Sequence, residues 1–129
     1  MASPDNLKYT KEHEWISIED SIATIGITDH AQSELGEIVY VEVETVGEEL
    51  GKDEVFGTVE AVKTTSDLFM PVSGQVIAFN SELDEDEEDN PGIINEDPYE
   101  KGWIVKVKIE DESELEGLLT AEAYAELVG

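Results

Sequence analysis

The 129-residue sequence has no cysteine, no arginine, two histidines and no apolar run near the ~20 residues that a membrane-spanning helix needs. Without cysteine there is no disulfide framework, no thiolate metal site and no cysteine nucleophile, so any sulfur chemistry must be brought in. Seven lysines face 33 aspartates and glutamates, a formal charge of -26. That balance argues against nucleic-acid partners, whose phosphates need a basic surface, and against docking on anionic membranes. With two histidines, no cysteine and no phosphate-binding glycine loop, an enzyme reading is poor and no metal site is expected. The opening MASPDNLKYTKEHEW has neither the apolar stretch of a signal peptide nor the Arg-rich pattern of a transit peptide, so we expect a chain that is not exported.

What is present is enough apolar residue, 40%, for one ordinary core. Residues 15–18, 21–27, 38–43, 55–62, 74–79 and 103–109 are short, rich in Val and Ile, mostly alternating and separated by turn residues. They predict a mainly β protein in a closed or two-layer arrangement. In 38–43 the face carrying Val39, Val41 and Val43 is wholly apolar and is expected to point inward. Asp29, three residues before Gln32, predicts the cap of a helix of about two turns that Gly36 ends. Near the C-terminus Ser113 and Glu116 form a capping-box pattern, and Leu115, Leu118, Leu119, Ala123 and Leu127 form an apolar helical stripe interrupted near Gly117 and Thr120. Gly36-Glu37-Ile38-Val39-Tyr40-Val41 superposes on Gly74-Gln75-Val76-Ile77-Ala78-Phe79, which predicts one β-unit used twice. The acidic run 84–89 is expected to be a solvated loop. The expected organisation is a single domain over 1–129: an N-terminal extension and first strand to residue 20, a core over 21–110, and a helical segment over 111–129.

Lys63 lies where the two repeats meet and is the one lysine between Lys52 and Lys101, with Glu60 and Asp67 nearby. On composition alone it is a solvated charge in a turn; its isolation makes it a candidate for selective modification through its amine. Glu60, Lys63, Ser66, Asp67, Leu68, Gly74 and Val76 match the lipoyl-attachment pattern. Biotin carriers flank their lysine with Met, where Val62 and Thr64 stand here. Across almost the whole chain, from Lys8-Tyr9-Thr10-Lys11-Glu12-His13-Glu14-Trp15 through Gly26-Ile27-Thr28-Asp29-His30-Ala31-Gln32 and Leu35-Gly36-Glu37-Ile38-Val39 to Asn95-Glu96-Asp97-Pro98-Tyr99 and Glu122-Ala123-Tyr124, the sequence resembles the glycine cleavage system H proteins.

That resemblance implies a barrel-sandwich hybrid of two antiparallel sheets with quasi-twofold symmetry, a short helix after the second strand and short C-terminal helices. It implies (R)-lipoate joined by an amide to Lys63 by a lipoate ligase or octanoyltransferase. The carrier would take an aminomethyl group from glycine decarboxylase to aminomethyltransferase, its dithiol would be reoxidised by dihydrolipoyl dehydrogenase, and it would do no catalysis itself. It further implies a monomer, cytoplasmic in a prokaryote or in the mitochondrial matrix of a eukaryote. A cationic amine on the loaded arm needs a carboxylate-lined cleft, for which Glu14 and Asp67, then Glu12, are the candidates; strand-end and turn-capping roles stand beside these. His30 either lines the same cleft or packs and caps locally, and His13 is assigned no role. Trp15 and Trp103 are expected in the core, while Gly26, Gly57 and Gly74 are expected at close strand contacts. Met70, where the family more often has a small or polar residue, would make one side of the cleft apolar. A second reading shares every motif through Lys63: an H-like protein that stores or relays lipoate to other lipoyl domains.

Overall fold

Antiparallel pairing organises the chain into two sheets, as the computed structural model shows for residues 7–84, 87–88 and 90–128. In chain order the strands are β1 (Lys8–Tyr9), β2 (Glu14–Glu19), β3 (Ile22–Ile27), β4 (Ile38–Glu42), β5 (Glu49–Leu50), β6 (Val55–Ala61), β7 (Thr65–Phe69), β8 (Gly74–Phe79) and β9 (Val105–Ile109). Helix α1 (Asp29–Leu35) follows β3, α2 (Ile93–Glu96) precedes β9, and a 3-10 turn (Glu112–Gly117) leads to α3 (Ala121–Val128). The larger sheet runs β1-β2-β3-β9-β8-β5 and the smaller β4-β6-β7, and neither closes on itself. The result is the two-layer form of the expected barrel-sandwich hybrid.

Local chemistry explains the joints. Glu19 pairs with Ile22 across Asp20 and Ser21, both at positive φ (51° and 67°), the backbone of a two-residue turn whose twist matches its strands. Apolar side chains from both sheets meet between them, with Ile16, Ile25, Val76 and Val107 from the larger facing Val41, Phe56, Val59 and Leu68 from the smaller. Burying each removes roughly 1.5–3 kcal/mol of unfavourable hydration. A second cluster of Leu7, Tyr9, Trp15, Ala121 and Tyr124 ties α3 to the N-terminal strands. Tyr9 and Leu119 exchange two backbone hydrogen bonds there (2.8 and 2.7 Å), and the Tyr9 and Tyr124 rings stack at 4.9 Å.

The predicted repeat is visible in backbone detail. An extra residue, Val39, sits between the pairs Ile38↔Ala61 and Tyr40↔Glu60, and Ile77 sits equivalently between Val76↔Val107 and Ala78↔Lys106. The two residues superpose in the sequence repeat, and both are exposed, at 43% and 41%. This bulge corrects the expected inward face of 38–43: it turns Val39 outward and puts Ile38 and Val41 inside.

Other local expectations are corrected. Thr28, not Asp29, caps α1, its Oγ1 accepting from the Ala31 N–H at 3.2 Å; Asp29 is instead the first helical residue and accepts from the Gln32 side chain at 2.8 Å. Gly36 ends the helix as predicted, at φ 83°. Asp111 rather than Ser113 caps the 3-10 turn. The C-terminal stripe is split between two elements. Leu115 and Leu118 pack on the main core, while α3 buries Ala121 and Tyr124 and leaves Leu127 exposed. Trp15 is buried as expected, its indole N–H donating to the Pro98 carbonyl at 2.8 Å, whereas Trp103 is half-buried with the Lys106 ammonium 5.1 Å from its ring centre. Of the acidic run 84–89, residues 85, 86 and 89 lie outside the described residues, and Glu87 and Glu88 are exposed.

Candidate functional site

Strands β6 and β7 form a hairpin whose tip is Val62-Lys63, closed by the Ala61 N–H donating to the Thr64 carbonyl at 2.8 Å. The Val62 N–H donates to the Glu37 carbonyl at 3.0 Å, which pins this tip to the junction of α1 and β4. Lys63 is exposed, and its stem runs across Gly36: a Cβ built there would stand 3.3 Å from the lysine Cε and 3.7 Å from Nζ. Gly36 thus serves twice, taking a positive φ and leaving the lane that the lysine occupies. Asn95 buckles the junction, its Nδ2 donating to the Gly36 carbonyl (2.8 Å) and Gln32 Oε1 (2.9 Å) and its Oδ1 accepting from the Ile38 N–H (2.9 Å).

Beside the tip lies a cavity of about 140 Å³ between α1, β6 and β7. Its floor is apolar, with Ile27, Ala31, Leu35, Val59 and Leu68, and its rim carries Glu12, His13, Glu34, Ser66 and Asp67. Of the predicted attachment residues, Ser66, Asp67 and Leu68 border this cavity. Glu60 is exposed on β6, opposite Thr65. Gly74 lies away from the tip at the start of β8, where a Cβ would collide with the Lys108 carbonyl. Gly57 and Gly26 are close-approach positions too, with Cβ atoms that would fall 2.6 Å from the Glu42 carbonyl and from the Trp15 ring.

Glu14 and Asp67 line separate but adjoining cavities. Glu14 lines an adjoining cleft of about 270 Å³ with Lys52, Asp53, Met70 and Leu118, and Glu12 borders both. Met70 lines Glu14's cleft, not Asp67's. Glu14 is only 2% exposed; its Oε2 accepts the Phe69 N–H at 2.8 Å, while its buried Oε1 has no hydrogen-bond partner. Burial pushes its carboxyl up to about 8 against the opposing pull of the Phe69 N–H, with Glu12 and Asp53 adding to the rise. Glu14 is therefore mostly a neutral acid at pH 7.

His30 lines neither cavity. Its ring packs on His13 with centroids 4.8 Å apart, and its Nε2 is 3.7 Å from Glu34. His13, to which the sequence reading gives no role, borders the 140 Å³ cavity at φ 66° and meets Tyr124 Oη through Nδ1 at 2.8 Å. Burial, then the nearby His30, lowers its pKa against the opposite influence of Glu12 and Glu34. No signal in the sequence reveals this pairing, because the partners are 111 residues apart.

Residues 7–129 match the family described as glycine cleavage H-protein. The chain belongs to that family. A crystal structure of a glycine cleavage system H protein from Mycobacterium marinum is 36% identical and superposes with a TM-score of 0.84, covering 98% of this chain and 99% of that one. The overall fold of this chain is thus shared with that structure. Among the described residues no helix is long and apolar enough to cross a membrane, and no group of three or more His, Asp or Glu is placed to hold a metal.

Proposed function

We propose that this H-protein family member is the lipoylated carrier of the glycine cleavage system, with (R)-lipoate amide-linked to Lys63. The observation that carries the reading is Lys63 itself, exposed at a pinned hairpin tip, its stem lying over the missing side chain of Gly36 beside a cavity with an apolar floor and an acidic rim. Those features fit an alkyl chain ending in a cationic cargo. When bound, lipoate supplies a sulfur that accepts the aminomethyl group and a dithiol that is reoxidised afterwards.

The chain's own residues hold, orient and shield. The hairpin tip offers the arm to glycine decarboxylase, aminomethyltransferase, dihydrolipoyl dehydrogenase and a lipoate-attaching enzyme in turn, and tethering sets its local concentration at each. Ile27, Ala31, Leu35, Val59 and Leu68 exclude water from the arm's apolar part, and Asp67 and Glu12 face the cargo's ammonium from the rim. Glu14, with one oxygen fixed by Phe69 and the other unpartnered, is the buried acceptor next to that rim. Burial favours its protonated form, and a cation held beside it would favour the carboxylate. In this reading the chain holds and shields the arm, and the chemistry belongs to the enzymes that it visits.

Intact-mass and peptide mass spectrometry of the protein from its own host, followed by loading with purified glycine decarboxylase and glycine, tests this. A lipoyl group on Lys63 that takes up the aminomethyl mass is the expected result. An unmodified lysine, or a lipoylated chain that the decarboxylase cannot load, overturns it, the second outcome leaving the lipoate-relay reading in its place.

A further inference from the structure

A chain of hydroxyl contacts links the C-terminal helix to the cavity wall. Thr28, fully buried, accepts the Ala31 N–H with its Oγ1 as the cap of α1 and lies 2.7 Å from Tyr124 Oη, which lies 2.8 Å from His13 Nδ1. Tyr124 is itself held by its stack on Tyr9. Three protons must be placed along this chain: the Thr28 hydroxyl, the Tyr124 hydroxyl and one imidazole N–H.

If Nδ1 carried the ring proton, His13 would donate to Tyr124 and Tyr124 to Thr28, leaving the buried Thr28 hydroxyl proton without a described acceptor. Run the other way, Thr28 donates to Tyr124, Tyr124 donates to a bare Nδ1, and every buried hydroxyl is used. The ring proton then sits on Nε2. Because Tyr124 takes the Nδ1 edge and does not border the cavity, the Nε2 edge is what His13 leaves to face it. The groups around the ring are His30, Glu12, Glu34 and Tyr124, and burial together with His30 favours the uncharged form.

We infer that Thr28 and Tyr124 are positioning residues that hold His13 as the neutral Nε2–H tautomer, and that this N–H is a hydrogen-bond donor of the cavity into which the chain on Lys63 folds. The second half rests on the carrier reading above. The remaining rim is made of acceptors, Glu12, Glu34 and Asp67, together with the Ser66 hydroxyl. The acids suit the cationic end of a loaded arm, and His13 adds a donor beside them.

Long-range 1H–15N spectra of the unmodified protein at pH 7.5 test the first half. The expected result is a single His13 tautomer with bare Nδ1, becoming a mixture in Tyr124→Phe and staying pure in Thr28→Ser. An Nδ1–H tautomer in the wild type overturns it, as does a tautomer unmoved by Tyr124→Phe; the wild-type spectrum decides even if that variant does not fold. The same spectra of lipoylated, cargo-loaded protein test the second half, with a downfield shift of the His13 Nε2–H expected and an unchanged resonance overturning it. A chain that takes up no lipoyl mass removes the carrier reading and the contact with the arm together. The tautomer result is independent of that outcome.

Discussion

Gly36 and Lys63 are complementary: one lacks a side chain where the other lays its stem, with the lysine Cε 3.3 Å from the position that a Cβ would take. Gly36 also holds φ 83° and ψ -152°, a region that is essentially closed to residues with a Cβ and costs them about 1–3 kcal/mol. Gly36→Ala is therefore expected to lower stability by that amount in urea unfolding and to slow modification of Lys63 by displacing its stem. Wild-type stability together with wild-type modification rate would separate the two residues.

The register of the tip is as informative as its exposure. Val62 is 68% exposed, so accessibility does not distinguish it from its neighbour. Position 62 differs in having its own N–H fixed to Glu37, and position 63 in pointing its side chain along Gly36. The double variant Val62→Lys with Lys63→Val keeps the amine, the charge and the hairpin while moving the amine one residue. Co-expressed with a lipoate ligase, it is expected to gain no lipoyl mass, as is Lys63→Arg. Efficient modification at position 62 would show that exposure alone suffices.

The strands that alternation reveals are those whose inner face is apolar along its length, such as Ile22–Ile27 and Val105–Ile109. Strand β7 escapes that logic because Thr65, Ser66 and Asp67 stand clear of the core at the hairpin end, and Leu68 is its one fully buried residue. Val39 misleads for a different reason: a bulge breaks the period of two that assigns it inward. Thr28 and Asp29 are both good caps by residue type, and the choice between them is made by Tyr124, 96 residues away. At the site, Lys63 is legible because a local pattern surrounds it. The partition of Glu14 and Asp67 between two cavities depends on where β2 lies relative to β7. The partnership of His13 with Tyr124 depends on packing across the chain, and no local pattern encodes either.

Glu14 gives the stability a distinctive pH dependence. Its carboxyl is raised from 4.5 to about 8 in the fold, so between those values the native state holds a proton that the unfolded chain has lost. Stability is then full below the unfolded pKa and falls as pH rises, by up to about 1.4 kcal/mol per pH unit, until the native group ionises. Ordinary carboxylates are ionised in both states above pH 6 and add little slope of their own there. Glu14→Gln keeps the shape of the neutral acid and removes the titration. Urea midpoints from pH 6 to 9 are expected to fall for the wild type and to stay nearly level for Glu14→Gln, and equal slopes would return Glu14 to an ordinary carboxylate.

The charge of -26 is far beyond the magnitude of ~2–8 that keeps a small domain in solution. Folding crowds those charges, and the structure offers them little relief: among the described residues no lysine stands in an ion pair within 4 Å, and His30 Nε2 lies 3.7 Å from Glu34. Lys106 lies against the Trp103 ring and Lys63 along Gly36, so two of the seven cations are engaged elsewhere. At ~0.1 M salt the screening length of ~10 Å lets neighbouring carboxylates repel one another across much of the surface, whereas at ~1 M it shrinks to ~3 Å. Self-repulsion of the native state is then mostly removed, while the unfolded chain, with its charges further apart, gains less. Adaptation to concentrated salt is the hypothesis that follows. The urea midpoint is expected to rise steadily with sodium chloride up to molar concentrations, with chloride used in place of sulfate to limit general salting-out. A lysine variant at exposed acids, for example Glu87→Lys with Glu88→Lys, is expected to raise the midpoint at low salt and to flatten its dependence on sodium chloride. A midpoint that is level or falls with added salt in the wild type would mean that repulsion among these carboxylates does not limit the fold.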